Sequence, residues 1–241
     1  MSIADNIRCF FAQHESLKYF FKPAYDLLVK KRQFKKLNKA FLDNALGVLS
    51  TFDKCMTDAG VHYMLAYGTL LGAIRDKGFI KYDVDMDVMV WSDEYGTALK
   101  SALNKAGFKL IHQFLIEEGC LGREETYKLH STTIDIFYIF PPVNDYPYMC
   151  QFTAYPPCPT FDMSMKELGK VLAHRVEIPV ERERIFVPFE TLSLPVPHNY
   201  KQVLSYIYGD DYMIPNPNWS MGQYHTHIVD WYDAKAVYMV F

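Results

Sequence analysis

The stretch from Leu65 to Trp91 constrains this chain more than any other. It reads in three pieces: an apolar strand ending at Gly68, a short helix opening at Thr69, and a second strand carrying three acids. There Asp83, Asp85 and Asp87 alternate with Val84, Met86 and Val88, so strand geometry puts the carboxylates on one face and the apolar side chains on the other. Such a row of like charges repels itself and is poor sheet design unless a cation neutralises it. Oxygen-rich clusters of this kind are what Mg²⁺ (or Mn²⁺) uses while it keeps waters and holds phosphates. The first half of the stretch supplies what a phosphate needs. A strand that breaks at Gly68 and restarts as a helix, with Thr69 near its N-cap, points free backbone N–H groups outward. Arg75, Lys77 and Lys81 follow close by. The blander reading of the stretch is a surface loop beside an acidic edge strand.

A second anomaly lies in Ile134-Asp-Ile-Phe-Tyr-Ile-Phe140, where Asp135 interrupts an apolar, β-branched run. A buried carboxylate without a partner costs several kcal/mol, so Asp135 needs a metal or a hydrogen-bond network. Its natural partners are Asp85 and Asp87; the alternative is a set of backbone N–H groups at a strand bulge.

The run Tyr67-Gly-Thr-Leu-Leu-Gly-Ala-Ile-Arg75, followed by Lys77-Gly-Phe-Ile80 and Asp83-Val-Asp-Met-Asp87, resembles the LicD family, the phosphocholine and phosphopolyol transferases related to fukutin-related protein. The Ile134-Asp-Ile136 segment and Tyr208-Gly-Asp210 ahead of Pro215 are similar to further signatures of that family. One departure is plain: the family carries consecutive acids where Val84 interrupts the run here, so Asp85 and Asp87 match its D-x-D pair and Asp83 stands as an additional candidate.

The resemblance implies an α/β (α+β) fold with a nucleotidyltransferase-like mixed sheet, flanking helices, an N-terminal helical extension and a C-terminal cap. It implies transfer of a phosphate-linked substituent from a CDP-activated donor to a glycan hydroxyl, with release of CMP. Asp85, Asp87 and Asp135 would hold the metal and serve catalysis, and Gly68, Thr69, Arg75 and Lys77 would bind the donor phosphates. Asp83, Lys81 and His225 are further candidates. Two other readings share these residues: nucleotide transfer to a small molecule with release of pyrophosphate, and a non-catalytic binding relative.

The totals narrow the class. At 241 residues, the chain is long enough for one domain with an elaboration. With 25 basic and 28 acidic residues and a net charge of -3, no strong field draws it to nucleic acid. Half the residues are hydrophobic, including 18 Tyr and 17 Phe, which argues for a folded enzyme and against disorder. Five scattered cysteines without a C-x-x-C pattern fit a reducing compartment and offer no convincing zinc site, with Cys150 and Cys158 the candidates to pair or to share a metal. No leader opens the sequence and no apolar run approaches the roughly 20 residues that span a bilayer, so a cytoplasmic location, peripheral at most, is expected.

In chain order, residues 1–35 read as a helical extension. Its aromatics from Phe10 to Tyr25 lead into Lys30, Lys31, Arg32, Lys35, Lys36 and Lys39, so residues 10–39 suit an anionic membrane surface or, equally, a solvated helix face. The remainder, 36–241, reads as the catalytic domain, with a core over 60–140 and the cap over 141–241. A long amphipathic helix is expected from Lys36 to Ala59, with Gly60 as its stop, then a strand from His62 to Tyr67. Further on come a helix from Glu94 to Ala106 and strands at Phe108–Ile116, Thr126–His130 and Ile134–Phe140. The prolines after Phe140 suggest irregular structure with scattered cations such as Arg182 and Arg184. A hairpin over 185–194 and a helix from Tyr200 to Gly209 follow. In the tail, His225 and His227 alternate as strand residues do, and Trp219, Tyr224, Trp231 and Tyr232 offer aromatic faces to a choline group, if that is the group moved.

Overall fold

The computed structural model describes residue 32, residues 34–216 and residues 228–241. The chain divides into two compact units, Met1–Ala40 and Phe41–Phe241. In the first, residues 34–40 are helical; most of the segment expected to contact a membrane lies outside the described residues. Among the described residues, no helix is long and apolar enough to cross a membrane.

The second unit opens with helix α1 (Ala45–Ala59), which buries Leu49, Phe52 and Met56 at helical spacing. Gly60 stops it in a left-handed conformation at φ 67°, its N–H reaching back to the last turn. The helix expected over 36–59 is not continuous, because a turn at residues 43–44 breaks it. Strand β1 (Tyr63–Leu65) is only three residues long, and helix α2 (Tyr67–Arg75) follows directly. Strand β2 (Asp87–Trp91), helix α3 (Thr97–Lys105) and strands β3 (Lys109–Ile116), β4 (Gly122–Leu129) and β5 (Thr132–Ile139) complete the first half.

Residues after Pro141 are far from irregular. They supply β6 (Tyr148–Thr153), helix α4 (Phe161–Leu168) and β7 (Val171–Glu177), then the hairpin β8 (Arg184–Phe189) and β9 (Leu192–Pro197) and helix α5 (Tyr200–Tyr208). A last strand, β10 (Ile228–Val240), returns to the main sheet. The expected hairpin and final helix are both present, and Gly209 follows the latter.

Eight strands form one mixed sheet in the order β1-β2-β5-β4-β3-β10-β7-β6. Among the described residues, only β2 and β5 run parallel; every other neighbouring pair is antiparallel. The sheet curls, since Phe140 just past β5 bridges to Tyr148 at the start of β6, the far edge. Helix α1 covers part of it through Phe52, which meets Tyr63 and Phe108 edge to face at 5.0 and 6.1 Å. Four of the cysteines, Cys55, Cys120, Cys150 and Cys158, are free, so Cys150 and Cys158 do not pair.

Strand β4 is held from behind by a buried charge pair. Arg123 donates to Glu125 at 2.9 Å, while the hydroxyls of Tyr127 and Tyr138 donate to the second Glu125 oxygen at 3.2 and 2.9 Å. The Arg123 guanidinium lies 3.8 Å from the centre of the Tyr95 ring. Every polar atom of the carboxylate is thereby satisfied, the condition under which a buried ion pair is tolerable. Removing one partner leaves an uncompensated charge. Arg123→Ala should cost about 3–5 kcal/mol in urea unfolding; a loss below roughly 1 kcal/mol, the worth of a surface pair, would show the network to be idle.

Candidate active site

The site is organised by a row of side chains crossing four adjacent strands. Asp87 on β2 stands opposite Asp135 on β5, Asp135 opposite Thr126 on β4, and Thr126 opposite His112 on β3. The Thr126 hydroxyl donates to Asp135 Oδ1, and His112 Nε2 lies 2.8 Å from the same hydroxyl oxygen. Since that hydroxyl's one proton goes to the carboxylate, His112 is the donor in the second contact. Alternation along β4 puts Glu124 on the face of Thr126, and Arg123, Glu125 and Tyr127 on the other.

The acids enter differently from the sequence expectation. Of the three, Asp87 lies in a strand, while Asp83 and Asp85 sit in the irregular segment leading into β2. They converge by loop geometry rather than by strand alternation. The Asp135 N–H donates to Met86 O at 2.9 Å, which ties β5 to that segment.

The glycine-threonine motif also works otherwise than expected. Helix α2 opens at Tyr67, with Ala66 at its N-cap and no side chain capping it. Thr69 is buried, and its hydroxyl accepts the Asp87 backbone N–H at 2.9 Å. Ala66 N–H donates to the Asp87 carbonyl at 3.1 Å. Both sides of the Asp87 backbone are thus fastened to the β1–α2 junction. The junction itself turns at Tyr67, whose φ of 39° is left-handed and strained for a residue with a Cβ. The Tyr67 ring packs edge to face on Phe137 at 4.9 Å, and Gln151 Nε2 donates to its hydroxyl at 3.3 Å. A Cβ placed on Gly68 would stand 3.5 Å from an Asp83 oxygen and 3.9 Å from Asp87 Oδ2, so the Gly68 backbone lies directly against the carboxylates. A Cβ there would make ordinary van der Waals contact with the carboxylates and occupy the space that the bare backbone leaves beside them.

The basic candidates are placed unequally. Arg75 grips Asp76 through two hydrogen bonds of 3.0 and 2.9 Å, and it lines a cavity with Gly68 and Asp83. Lys77 turns to the end of α2, where its Nζ donates to Ile74 O. Lys81 is exposed on the loop before Asp83. Farther off, Arg182 pairs with Asp93 and Arg184 donates to Tyr63 O. His225 and His227, with Trp219 and Tyr224, lie outside the described residues; Tyr232 on β10 is exposed and donates to Asp230.

Burial dominates the electrostatics, and the crowding of acids adds to it. Burial and the neighbouring Asp85, Asp135, Asp83 and Glu124 push the Asp87 carboxyl well above the usual carboxylate range. Burial, then Asp85, raises Asp83 to about 7. Asp135 is raised by burial to about 6, partly offset by the Thr126 hydrogen bond, and burial raises Asp85 too. Glu124 goes to about 8 through burial and the charge of Asp135. Tyr208, at the end of α5, is shifted upward by burial and next by Asp87, so the Tyr-Gly-Asp segment delivers its phenol to the same cluster.

Glu124, Thr126, His112 and Tyr208 were not among the candidates read from sequence. The signal for the first two was present: starting β4 at Gly122 rather than Thr126 brings Glu124 into the strand and onto the face of Asp135. Among the described residues, no three His, Cys, Asp or Glu side chains are close enough, as they stand, to enclose one ion. The donor chemistry fits a divalent cation all the same. It is all oxygen and strongly acidic, and Asp87 and Asp135, raised in pKa by burial and then by neighbouring acids, carry a repulsion that a cation relieves.

Residues 60–199 match the family described as LicD/FKTN/FKRP, nucleotidyltransferase domain. The chain belongs to this family. The matched segment runs from the end of α1 through the hairpin, taking in β2 with its acids, β5 and α2. Two curated relatives are similar over shorter stretches. The chain is 31% identical over 100 residues to the mouse protein named ribitol-5-phosphate transferase FKTN, which covers 42% of this chain and 22% of that protein. It is 46% identical over 50 residues to the lipopolysaccharide cholinephosphotransferase LicD of Haemophilus influenzae, covering 21% of this chain and 19% of that protein. The matches thus span about a fifth of the length of each relative.

The raised carboxylates dictate a pH dependence. For Glu124 the unfolded chain loses its proton near 4.5 and the folded chain near 8, so between these values the folded state binds more protons and stability falls as pH rises. Asp135 adds to the fall over its own lower window, up to about 6. In metal-free buffer the thermal midpoint should therefore drop from pH 5 to pH 8, with a shallower drop in Glu124→Gln. A midpoint that rises over this range, or an unchanged slope in the variant, would contradict the arrangement.

Proposed function

We propose that this LicD-family domain transfers a phosphate-linked substituent, such as phosphocholine, phosphoethanolamine or a phosphopolyol, from a CDP-activated donor to a hydroxyl of a cell-surface glycan, releasing CMP. The observation that carries this reading is the meeting of Asp87 and Asp135 on adjacent parallel strands, with Asp85 beside them and the Gly68 backbone against them. The names of the relatives, a ribitol-5-phosphate transferase and a cholinephosphotransferase, support the class of group moved.

Asp85, Asp87 and Asp135 would hold Mg²⁺ (or Mn²⁺). Bound there, the ion neutralises charge on the diphosphate and on the departing CMP. The chain's own residues do the remainder. The Gly68 backbone admits the diphosphate close to the acids, and Thr69 holds the Asp87 backbone in place. Arg75, at the wall of the adjoining cavity, offsets phosphate charge. Thr126 engages one Asp135 oxygen and so fixes the carboxyl plane, which sets the second oxygen to accept the proton of the acceptor hydroxyl.

The test is a turnover assay with CDP-choline, CDP-ethanolamine, CDP-glycerol and CDP-ribitol, each with Mg²⁺ and with a chelator. CMP should appear with metal only. Asp87→Asn should lower kcat by at least roughly 100-fold while the protein stays folded. Release of pyrophosphate from CTP without CMP from any CDP compound would move the chemistry to nucleotide transfer. A second expected outcome concerns position alone: Thr126→Val should reduce kcat roughly 10-fold or more with little change in KM, and Thr126→Ser should restore most of it.

A further inference from the structure

We propose that Thr153, His174 and Asp230 form a second reactive centre, in which the Thr153 hydroxyl attacks the carbonyl carbon of small carboxylic esters and is acylated. The centre lies on β6, β7 and β10, strands that carry neither Asp87 nor Asp135, and it stands apart from the transferase reading.

The strand order β10-β7-β6 brings one member from each of three adjacent strands. Asp230 on β10 is directly opposite His174 on β7, and so is Gln151 on β6. Thr153, two residues beyond Gln151, therefore falls diagonal to the imidazole on the same face. His174 Nδ1 lies 2.8 Å from Asp230 Oδ1, and His174 Nε2 lies 2.7 Å from Thr153 Oγ1. The Tyr232 hydroxyl donates to the second Asp230 oxygen at 3.0 Å. An ionised carboxylate can only accept, so Asp230 fixes the imidazole proton on Nδ1. The neutral ring then carries its lone pair on Nε2, and the Thr153 hydroxyl donates to it. Hydrogen bonds from His174 and then Tyr232 hold Asp230 below the usual carboxylate range, in keeping with an ionised partner.

A hydroxyl within hydrogen-bond reach of a base that a third group orients is the arrangement of an activated nucleophile. Thr153 is exposed at the end of β6, whereas the His174 side chain is only 16% exposed, so the attacking oxygen is open while the base is sheltered. In the first step a bond forms between Thr153 Oγ1 and the ester carbonyl carbon, and the Thr153 proton passes to His174 Nε2. The ester C–O bond then breaks, and the alcohol or phenol leaves with that proton. Water, deprotonated by His174, hydrolyses the acyl-Thr153 to a carboxylic acid and the free hydroxyl. Lys170 Nζ lies 4.1 Å from the centre of the Tyr155 ring, which meets the Tyr232 ring edge to face at 6.4 Å. The surface that holds Asp230 thus also carries a cation for the charge that grows on the carbonyl oxygen, and two rings for an acyl or aryl group to pack on. The Asp230 side chain is 45% exposed, so water screens its charge; its part is to hold the tautomer.

The experiment is acylation of the full chain by p-nitrophenyl acetate and, separately, labelling by a fluorophosphonate, in which the P–F bond breaks as Oγ1–P forms and fluoride leaves. A chelator is present throughout, so that metal-dependent turnover contributes nothing. Intact mass counts the adducts and peptide mapping places them, while circular dichroism checks that each variant is folded. One adduct should map to Thr153; Thr153→Val should lack it and Thr153→Ser should keep it. His174→Gln should slow labelling at least roughly 100-fold, and Asp230→Asn at least roughly 5-fold. The proposal is overturned by a folded wild-type chain without an adduct on Thr153, by adducts confined to lysines and the free Cys120, or by an unchanged rate in His174→Gln. An unchanged rate in Asp230→Asn, whose exposed side chain makes it the variant safest for folding, overturns it equally. Any of these results would leave the three residues as a cross-strand hydrogen-bond network.

Discussion

The parallel pairing of β2 with β5 is the constraint on which the site depends. It is the sole parallel pair among the described residues, and its register sets Asp87 directly opposite Asp135. Two carboxylates at that separation, partly shut away from water, oppose the fold that holds them. The protein answers with backbone ties rather than with nearby cations. Asp87 is held at its N–H by Thr69 and at its carbonyl by Ala66, while the Asp135 N–H is held by Met86 O. These ties act on the backbone; the Thr126 hydroxyl adds a bond to a carboxylate, at Asp135 Oδ1, and leaves the second Asp135 oxygen for chemistry.

The two faces of β4 divide the labour. One carries Glu124 and Thr126 toward the acids; the other carries Arg123, Glu125 and Tyr127 in a closed network with Tyr138. A charged pair buried on one side and a polar row on the other make this strand hard to slip, since a shift of one residue would exchange the two sets. Specificity of register, more than gain in stability, is what such a network provides.

Much of this was legible in the sequence, and the failures have particular causes. Asp135 announced itself because an acid inside an apolar strand demands a partner. The hairpin, α5 and α3 followed from turn residues and from helical spacing. The start of α2 was misplaced because Gly68-Thr69 looks like a cap, whereas Thr69 is turned inward to Asp87 and a strained Tyr67 makes the corner. Strands β6 and β7 were hidden by the prolines around them, and both pair with strands distant in sequence or across a long excursion, where local pattern carries no information. Tyr208 could be tied to a family signature but not to a place, since only the packing of α5 brings it to Asp87.

The position of β10 has a consequence for synthesis. Residues 228–240 fill a central slot, pairing with β3 on one side and β7 on the other. Until the ribosome has delivered them, the nascent chain holds two partial sheets, β1-β2-β5-β4-β3 and β7-β6, each ending in an open strand edge. Open edges with apolar faces are templates for pairing with other chains. Of the ten described strands the one made latest is thus the one that joins the halves, and the interval before it arrives is when a holdase chaperone would have most to cover.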